Sequence, residues 1–305
     1  MGKPSVVWSP AYEVDIGPHV FPTAKYRLVR DRLLAEGIVG QEDLIEAEPV
    51  TDVDLGRVHT PEYLAKIRDD RLTAFERIAL EVPFSQALAH AGRVCCGGTL
   101  LCARLALRDG IAVHLGGGFH HAFPGRGEGF CLVNDVAVAS AVLLDEGAVS
   151  RVLVVDLDVH QGNGTAAIFA DDARVFTLSM HQERNYPALK PPSDLDLGLD
   201  DGTGDASYLA VLEANLPVVV ERFRPQLALY LAGADPYRGD QLGGLALTLE
   251  GLRRRDAYVM ESLRGRGVAV AVTLAGGYAL RTNDTVAIHA TTVAEAVKAL
   301  RVDAR

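Results

Sequence analysis

Short continuous apolar runs alternate along this chain with longer stretches whose apolar residues recur at three- and four-residue spacing. The runs at 6–8, 111–115, 152–156, 175–180, 227–232 and 268–274 are short, continuous and mostly apolar, so they predict strands. They do not alternate apolar with polar residues as half-exposed strands do. Continuous runs predict strands covered on both faces, the habit of a parallel sheet. The amphipathic stretches at 24–34, 86–108, 134–146, 164–170, 205–222, 249–264 and 285–300 predict helices, with Gly97-Gly98 weakening the middle of the longest. Thr60-Pro61-Glu62 predicts another helix start: a threonine cap, proline at the first helical position and an acid in the first turn. From 111 onward strand and helix alternate, which predicts a three-layer α/β/α fold around a mainly parallel sheet with right-handed crossovers. No linker, low-complexity run or internal repeat interrupts the chain, so residues 1–305 read as a single domain. Residues 181–204, with Tyr186, Pro187, Pro191 and Pro192, read as a long loop, and such loops in compact domains are usually functional.

Composition alters this picture little: 305 residues, 49% hydrophobic and 23% charged, allow a sizeable core. Charge alters it more. A net charge of −10 opposes non-specific attachment to nucleic acid or anionic membranes, and is compatible with a basic peptide or a cationic small substrate. Cys95, Cys96, Cys102 and Cys131 have no C-x-x-C spacing and read as reduced core thiols. Met1-Gly2-Lys3-Pro4 opens without an apolar signal core, and no apolar run reaches the ~18 residues of a membrane span. The expectation is a cytoplasmic protein with no membrane and no nucleic-acid partner.

Candidate chemistry gathers at strand ends, where open parallel sheets bind ligands. The strand at 152–156 runs into Asp156-Leu157-Asp158-Val159-His160-Gln161-Gly162-Asn163-Gly164. On a continuing strand Asp156, Asp158 and His160 face one way. Groups of metal-ligand type at the end of a buried strand are costly unless a metal or partners hold them. The strand at 111–115 leads into Gly116-Gly117-Gly118 and Phe119-His120-His121, that at 227–232 into Gly233-Ala234-Asp235-Pro236, and that at 268–274 into Ala275-Gly276-Gly277-Tyr278. Any one of these groups alone would read as a turn or packing residue; their joint placement points to a metal site.

With Gly129-Phe130-Cys131 between them, these motifs resemble the histone deacetylase family of the arginase/deacetylase fold, in family order and over roughly residues 10–297. The Asp-x-Asp-x-His-Gln-Gly-Asn-Gly run and Gly-Asp-Gln-Leu-Gly-Gly at 239–244 are most like the class IV branch. The resemblance implies a zinc-dependent amidohydrolase that removes an acyl group, acetyl or longer, from the side-chain amine of lysine in a protein or peptide. It implies Asp158, His160 and Asp235 as ligands of zinc, with iron as the alternative native metal. It also implies His120 paired with Asp156, and His121 paired with Asn163, where many relatives carry aspartate. An amide orients a ring but gives little charge stabilisation, so His121 is read as the general base and His120 as an electrostatic partner. Tyr278 is expected to donate to the developing oxyanion. Gly129, Phe130, Tyr186 and Gly276 are expected to bind the substrate, the aromatic pair as walls of a narrow slot. The resemblance further implies potassium at Asp156, Asp158, His160, Ser179 and Met180, and a second ion at Phe169, Asp172 and Val175. The other histidines, His19, His59, His90, His114, His181 and His289, are read as structural, with the pocket mouth as the alternative place for His19.

Two other readings use the same residues. One is an amidohydrolase of acetylpolyamines or other small acylamines. The other is a non-catalytic acyl-lysine binding protein, which the loss of Tyr278 or a ligand would favour. An arginase-like pair of manganese ions needs further aspartates, and Val159 and Pro236 do not supply them.

Overall fold

Eight parallel strands form one open sheet in the computed structural model, which describes residues 4–302. In chain order the regular elements are β1 (Ser5–Trp8), α1 (Lys25–Ala35), β2 (Leu44–Glu46), α2 (Asp52–Leu55), α3 (Pro61–Arg68), α4 (Ala74–Leu80), α5 (Gln86–Asp109) and β3 (Ile111–His114). There follow α6 (Asp135–Asp145), β4 (Val152–Asp156), α7 (Asn163–Phe169), β5 (Val175–Gln182), β6 (Leu195–Leu199), α8 (Asp205–Phe223), β7 (Leu227–Leu231), α9 (Leu249–Arg264), β8 (Ala269–Thr273) and α10 (Thr282–Val302). The strand order is β2-β1-β3-β8-β7-β4-β5-β6. The four strands whose ends carry the candidate chemistry, β3, β8, β7 and β4, are therefore the central neighbours of the sheet.

Their continuous apolar sequence is explained by what covers them. Successive side chains of a strand point to opposite faces. Val152 and Val154 pack with residues of α5 and α6, whereas Leu153 and Val155 pack with residues of α1, α8, α9 and α10. Every residue of the four central strands is buried. The fold is thus an α/β/α arrangement with a wholly parallel sheet among the described strands.

The edges of the sheet differ from expectation. The segment 181–204 is not one loop: β5 continues to Gln182, and β6 pairs with it in parallel. In β6, Asp196 and Gly198 interrupt the apolar residues, and its burial alternates as an edge strand's does. The three residues of β2 at the other edge are too few for a periodicity to register. Gly97-Gly98 does not interrupt α5. Thr60 caps α3 as predicted, its hydroxyl accepting the Tyr63 N–H at 3.3 Å.

Candidate active site

β4 stops at Asp156, and the chain bends at 158–160. Asp156, Asp158 and His160 therefore do not share a strand face, which corrects the expectation from alternation. Backbone hydrogen bonds to carboxylates bring them together instead. Asp158 N–H donates to Asp156 Oδ1 at 3.2 Å, His160 N–H to Asp158 Oδ1 at 3.0 Å, and Val159 N–H to Asp235 Oδ1 at 2.9 Å. Such short side-chain-to-backbone bonds fold a chain back on itself where ladder pairing has ended.

Asp158, His160 and Asp235 each offer a ligand atom, and these atoms lie within 4.8 Å of one another. All three residues are buried, and Asp235 Oδ2 has no hydrogen-bond partner. A buried carboxylate oxygen without a donor is costly, and so are neighbouring buried carboxylates. Burial, reinforced by the charge of Asp158, pushes the Asp235 carboxyl well above the usual carboxylate range. A cation between the three groups removes both penalties. Two carboxylates and an imidazole, with room left in the adjoining cavity, fit a zinc ion. Gly276 completes this wall: its N–H donates to Asp158 Oδ2 at 2.9 Å, and a β-carbon there would run into the carboxylates of Asp235 and Asp158.

The loop after β3 delivers the paired histidines. Asp135, at the start of α6, accepts the N–H groups of Gly118 and Phe119 at 3.0 and 2.7 Å and so fixes that loop. His120 Nδ1 lies 2.6 Å from Asp156 Oδ2, and His121 Nδ1 lies 2.6 Å from Asn163 Oδ1. Both oxygens only accept, so each Nδ1 carries the hydrogen. The two Nε2 atoms are 3.1 Å apart. Burial opposes the charge of His120, but Asp156, helped by Asp158, outweighs it and raises the imidazole to about 9. Burial lowers His121 well below the usual histidine range, and the charges of His120 and His160 add to the effect. One ring is a cation beside its neutral neighbour.

The aromatic walls rest on a tight turn. Glu128 and Cys131 exchange backbone hydrogen bonds at 3.0 and 2.9 Å around Gly129 and Phe130, whose φ values are +52° and +68°. Positive φ at both central positions is the type I′ pattern. Gly129 is also forced by space: a β-carbon would approach His121 Cδ2 to 2.8 Å. The Tyr186 ring stands edge-on to His121 at 4.9 Å, and that of Phe130 to Tyr278 at 5.8 Å. Tyr278, His120, His121, Asp158 and His160 line one cavity of about 350 Å³. A wider one of about 580 Å³, lined by Phe130, Tyr186, Leu242 and Glu81 among others, shares His121, His160 and Tyr278 with it. Burial, then the charges of Asp158 and Asp235, push the Tyr278 hydroxyl well up, so it stays a donor. His19 contacts two residues that line the wider cavity, its Nε2 2.8 Å from the Glu81 carbonyl oxygen and its ring edge-on to Phe130.

The residues read as potassium ligands fall in two places. Asp156 and Ser179 are register partners on β4 and β5, with Met180 next to them; Ser179 Oγ lies 3.0 Å from His181 Nδ1. Phe169, Asp172 and Val175 form one turn, in which Asp172 N–H donates to the Phe169 carbonyl and Val175 N–H to the Asp172 carbonyl, both at 3.0 Å. The Asp172 carboxylate itself faces Arg174 at 2.7 Å.

Three charged residues near the site escape a reading of the sequence. Lys25 is fully buried, its Nζ donating to the Ala275 carbonyl at 2.7 Å, 5.7 Å from the Tyr278 ring. Burial lowers its ammonium to about 8 against the pull of Asp235, Asp158 and Asp240. Glu128 accepts from Asn163 Nδ2 at 2.7 Å and from the Tyr186 hydroxyl at 3.1 Å. Arg255 is buried behind the site. In sequence it belongs to an Arg-Arg-Arg-Asp run that reads as a solvated face. A signal did exist: Arg255 lies three residues after Leu252 and four before Val259, on the apolar stripe of α9.

A model of the histone deacetylase domain matches residues 19–294. The chain belongs to the histone deacetylase family, and it is a hydrolase of that family. It is 42% identical to an uncharacterised protein of Picosynechococcus sp., over 95% of this chain and 96% of that one. It is 31% identical to histone deacetylase 2 of Arabidopsis thaliana, over 91% of this chain and 75% of the plant protein. It is 33% identical to a probable deacetylase of Archaeoglobus fulgidus, over 82% and 74%. The crystal structure of the HDA15 HD domain superposes with a TM-score of 0.79 at 23% identity, covering 97% of this chain and 94% of that one; it shares the fold.

Proposed function

We propose that this protein is a zinc-dependent lysine deacylase, hydrolysing the amide between an acyl group and the side-chain amine of lysine. One observation carries the reading: a buried Asp158–His160–Asp235 cluster with an unsatisfied carboxylate oxygen adjoins two histidines, each held at Nδ1 by a side-chain oxygen. Zinc held by Asp158, His160 and Asp235 would polarise the amide carbonyl and acidify water. His121, neutral with its Nε2 unprotonated, takes the proton from the attacking water and later returns it to the leaving amine. His120 stays an imidazolium, kept charged by Asp156. Tyr278 donates its hydroxyl to the developing oxyanion. Phe130 and Tyr186 flank the aliphatic lysine stem. Potassium at the Asp156–Ser179–Met180 edge would further fix the strand ends.

The partner in this reading is an acyl-lysine protein or peptide, with no role for nucleic acid or membrane. Among the described residues no helix is long and apolar enough to cross a membrane, and the four cysteines are free and buried. The free thiols suit a cytoplasmic setting. The test is a panel of lysine peptides acylated from acetyl to myristoyl, run beside acetylpolyamines, with zinc-loaded and chelated protein. Chelator-sensitive hydrolysis of at least one acyl-lysine is expected. Turnover of acetylpolyamines alone would transfer the activity to small acylamines, and no turnover of any substrate would overturn the reading.

A further inference from the structure

We propose that Glu128 is a positioning residue that sets the tautomer of His121 through Asn163. The proposal rests on the deacylase reading for its kinetic consequence, while its structural content stands on the hydrogen bonds alone. An asparagine amide can sit in two orientations that exchange oxygen and nitrogen. With Nδ2 toward His121 the amide would donate to Nδ1, and the ring hydrogen would move to Nε2. That is the nitrogen needed bare, 3.1 Å from His120 Nε2.

Glu128 removes this alternative. Its carboxylate only accepts, and Oε1 takes the hydrogen of Asn163 Nδ2 at 2.7 Å. The flipped amide would set its oxygen against that carboxylate oxygen. The orientation is therefore selected at the far end of the amide, and Asn163 Oδ1 is left to accept from His121 Nδ1 at 2.6 Å. Glu128 is itself held on every side. Oε1 also accepts the Tyr186 hydroxyl at 3.1 Å, Oε2 accepts from Arg126 Nε at 3.0 Å, and its backbone is locked in the turn with Cys131. The same oxygen thus orients the ring and a wall of the pocket. The neutral amide stands between the carboxylate and the imidazole, so the ring is aligned by an amide oxygen rather than by Glu128 itself.

The experiment has a kinetic and a spectroscopic arm. Glu128→Gln offers the amide a partner that both donates and accepts, so the orientation is no longer dictated. For the preferred acyl-lysine peptide kcat is expected to fall about 10- to 100-fold, with little change in KM, the range seen when a residue orienting an active-site ligand is lost. N163D, which puts a carboxylate against Glu128, is expected to lose more. The double variant E128Q/N163D reverses the polarity of the pair and is expected to regain most of the activity that N163D loses. A scaffold role alone would not produce that recovery. In the metal-free wild type, selective ¹⁵N-histidine NMR should show His121 Nε2 unprotonated, and in E128Q a mixture of tautomers. Wild-type kcat in E128Q, no recovery in the double variant, or a protonated His121 Nε2 in the wild type would each overturn the proposal. If wild-type protein hydrolyses no acyl-lysine, the deacylase reading fails and the NMR arm still decides the tautomer. If E128Q does not fold, E128A takes its place in both arms, and wild-type kcat or a single unchanged tautomer in E128A overturns the proposal.

Discussion

Arg255 Nη1 donates to the carbonyl of Gly233 at 2.7 Å and lies 3.3 Å from that of Leu157. Leu157 precedes Asp158, and Gly233 stands two residues before Asp235. One buried cation thus ties together the strand ends that carry both carboxylates of the candidate metal site. Its own charge is balanced by Asp256 at 2.8 Å, which also accepts from Tyr230 at 2.5 Å and Thr292 at 2.6 Å. Arg255→Met leaves Asp256 buried without its cation, and such losses cost about 3–5 kcal/mol. Urea unfolding should register that loss, and R255M/D256N should recover part of it. A change within about 0.5 kcal/mol, typical of surface substitutions, would mean the pair ties nothing together.

Metal binding should be readable without turnover. Zinc at about 100 times its Kd should add ~2.7 kcal/mol to stability, seen as a raised Tm that chelation reverses. Asp235→Asn removes one carboxylate from the cluster. The metal-free variant should melt no lower than metal-free wild type, because the Asp235 carboxyl already resists ionisation there. Added zinc should no longer shift it. An undiminished zinc shift in the variant would remove Asp235 from the ligand set.

Tyr278→Phe deletes one hydroxyl beside the candidate metal site. Loss of a single oxyanion donor typically lowers kcat about 10²–10³-fold. Zinc content, measured on the purified variant, should match wild type because the ligand trio is untouched. Unimpaired turnover would exclude the oxyanion role.

Acid should destabilise the fold in a defined window. His59 is buried and lowered to about 4; burial dominates over its hydrogen bond to the Phe123 carbonyl. Its Nδ1 donates there at 3.1 Å, and its Nε2 accepts the Asn134 N–H at 3.0 Å, so the neutral ring is built into the structure. The unfolded chain takes up this proton near pH ~6.5, whereas the folded protein refuses it until about 4. The stabilisation is complete above the unfolded value and is lost as pH falls through the folded one. It amounts to about 3 kcal/mol at one pKa unit per 1.36 kcal/mol. His114, lowered by burial to about 3, acts in the same direction. Unfolding free energies at pH 7, 6, 5 and 4 should decline more gently in His59→Gln than in wild type; parallel curves would contradict the assignment.

How far the chain can be read without its structure depends on the distance over which each feature is encoded. β4 and α9 follow from their sequences, since an apolar run ending in aspartate and a capped amphipathic repeat carry their own boundaries. β6 does not, because an edge strand needs only one covered face and tolerates Asp196 and Gly198. Asp158, His160 and Asp235 stand out by residue type at strand ends, yet their convergence comes from hydrogen-bonded bends rather than strand alternation. Lys25, Glu128 and Arg255 stay hidden for a single reason. A charge is expected in water, and the groups that hold these come from remote segments: the carbonyls of Ala275 and Gly233 for the two cations, and the donors Asn163 and Tyr186 for the part-buried Glu128.

That remoteness bears on how the protein is made. Lys25 reaches Ala275 across 250 positions of sequence, and Asp158 reaches Gly276 across 118. Contacts of such separation demand closure of large loops, and chains dominated by them fold slowly. β8, which brings Gly276 and Tyr278, must slot between β3 and β7 before the pocket has its far wall. A chain that stops short of β8 would carry Asp158, His160 and Asp235 without Gly276, which completes their wall, and without Tyr278.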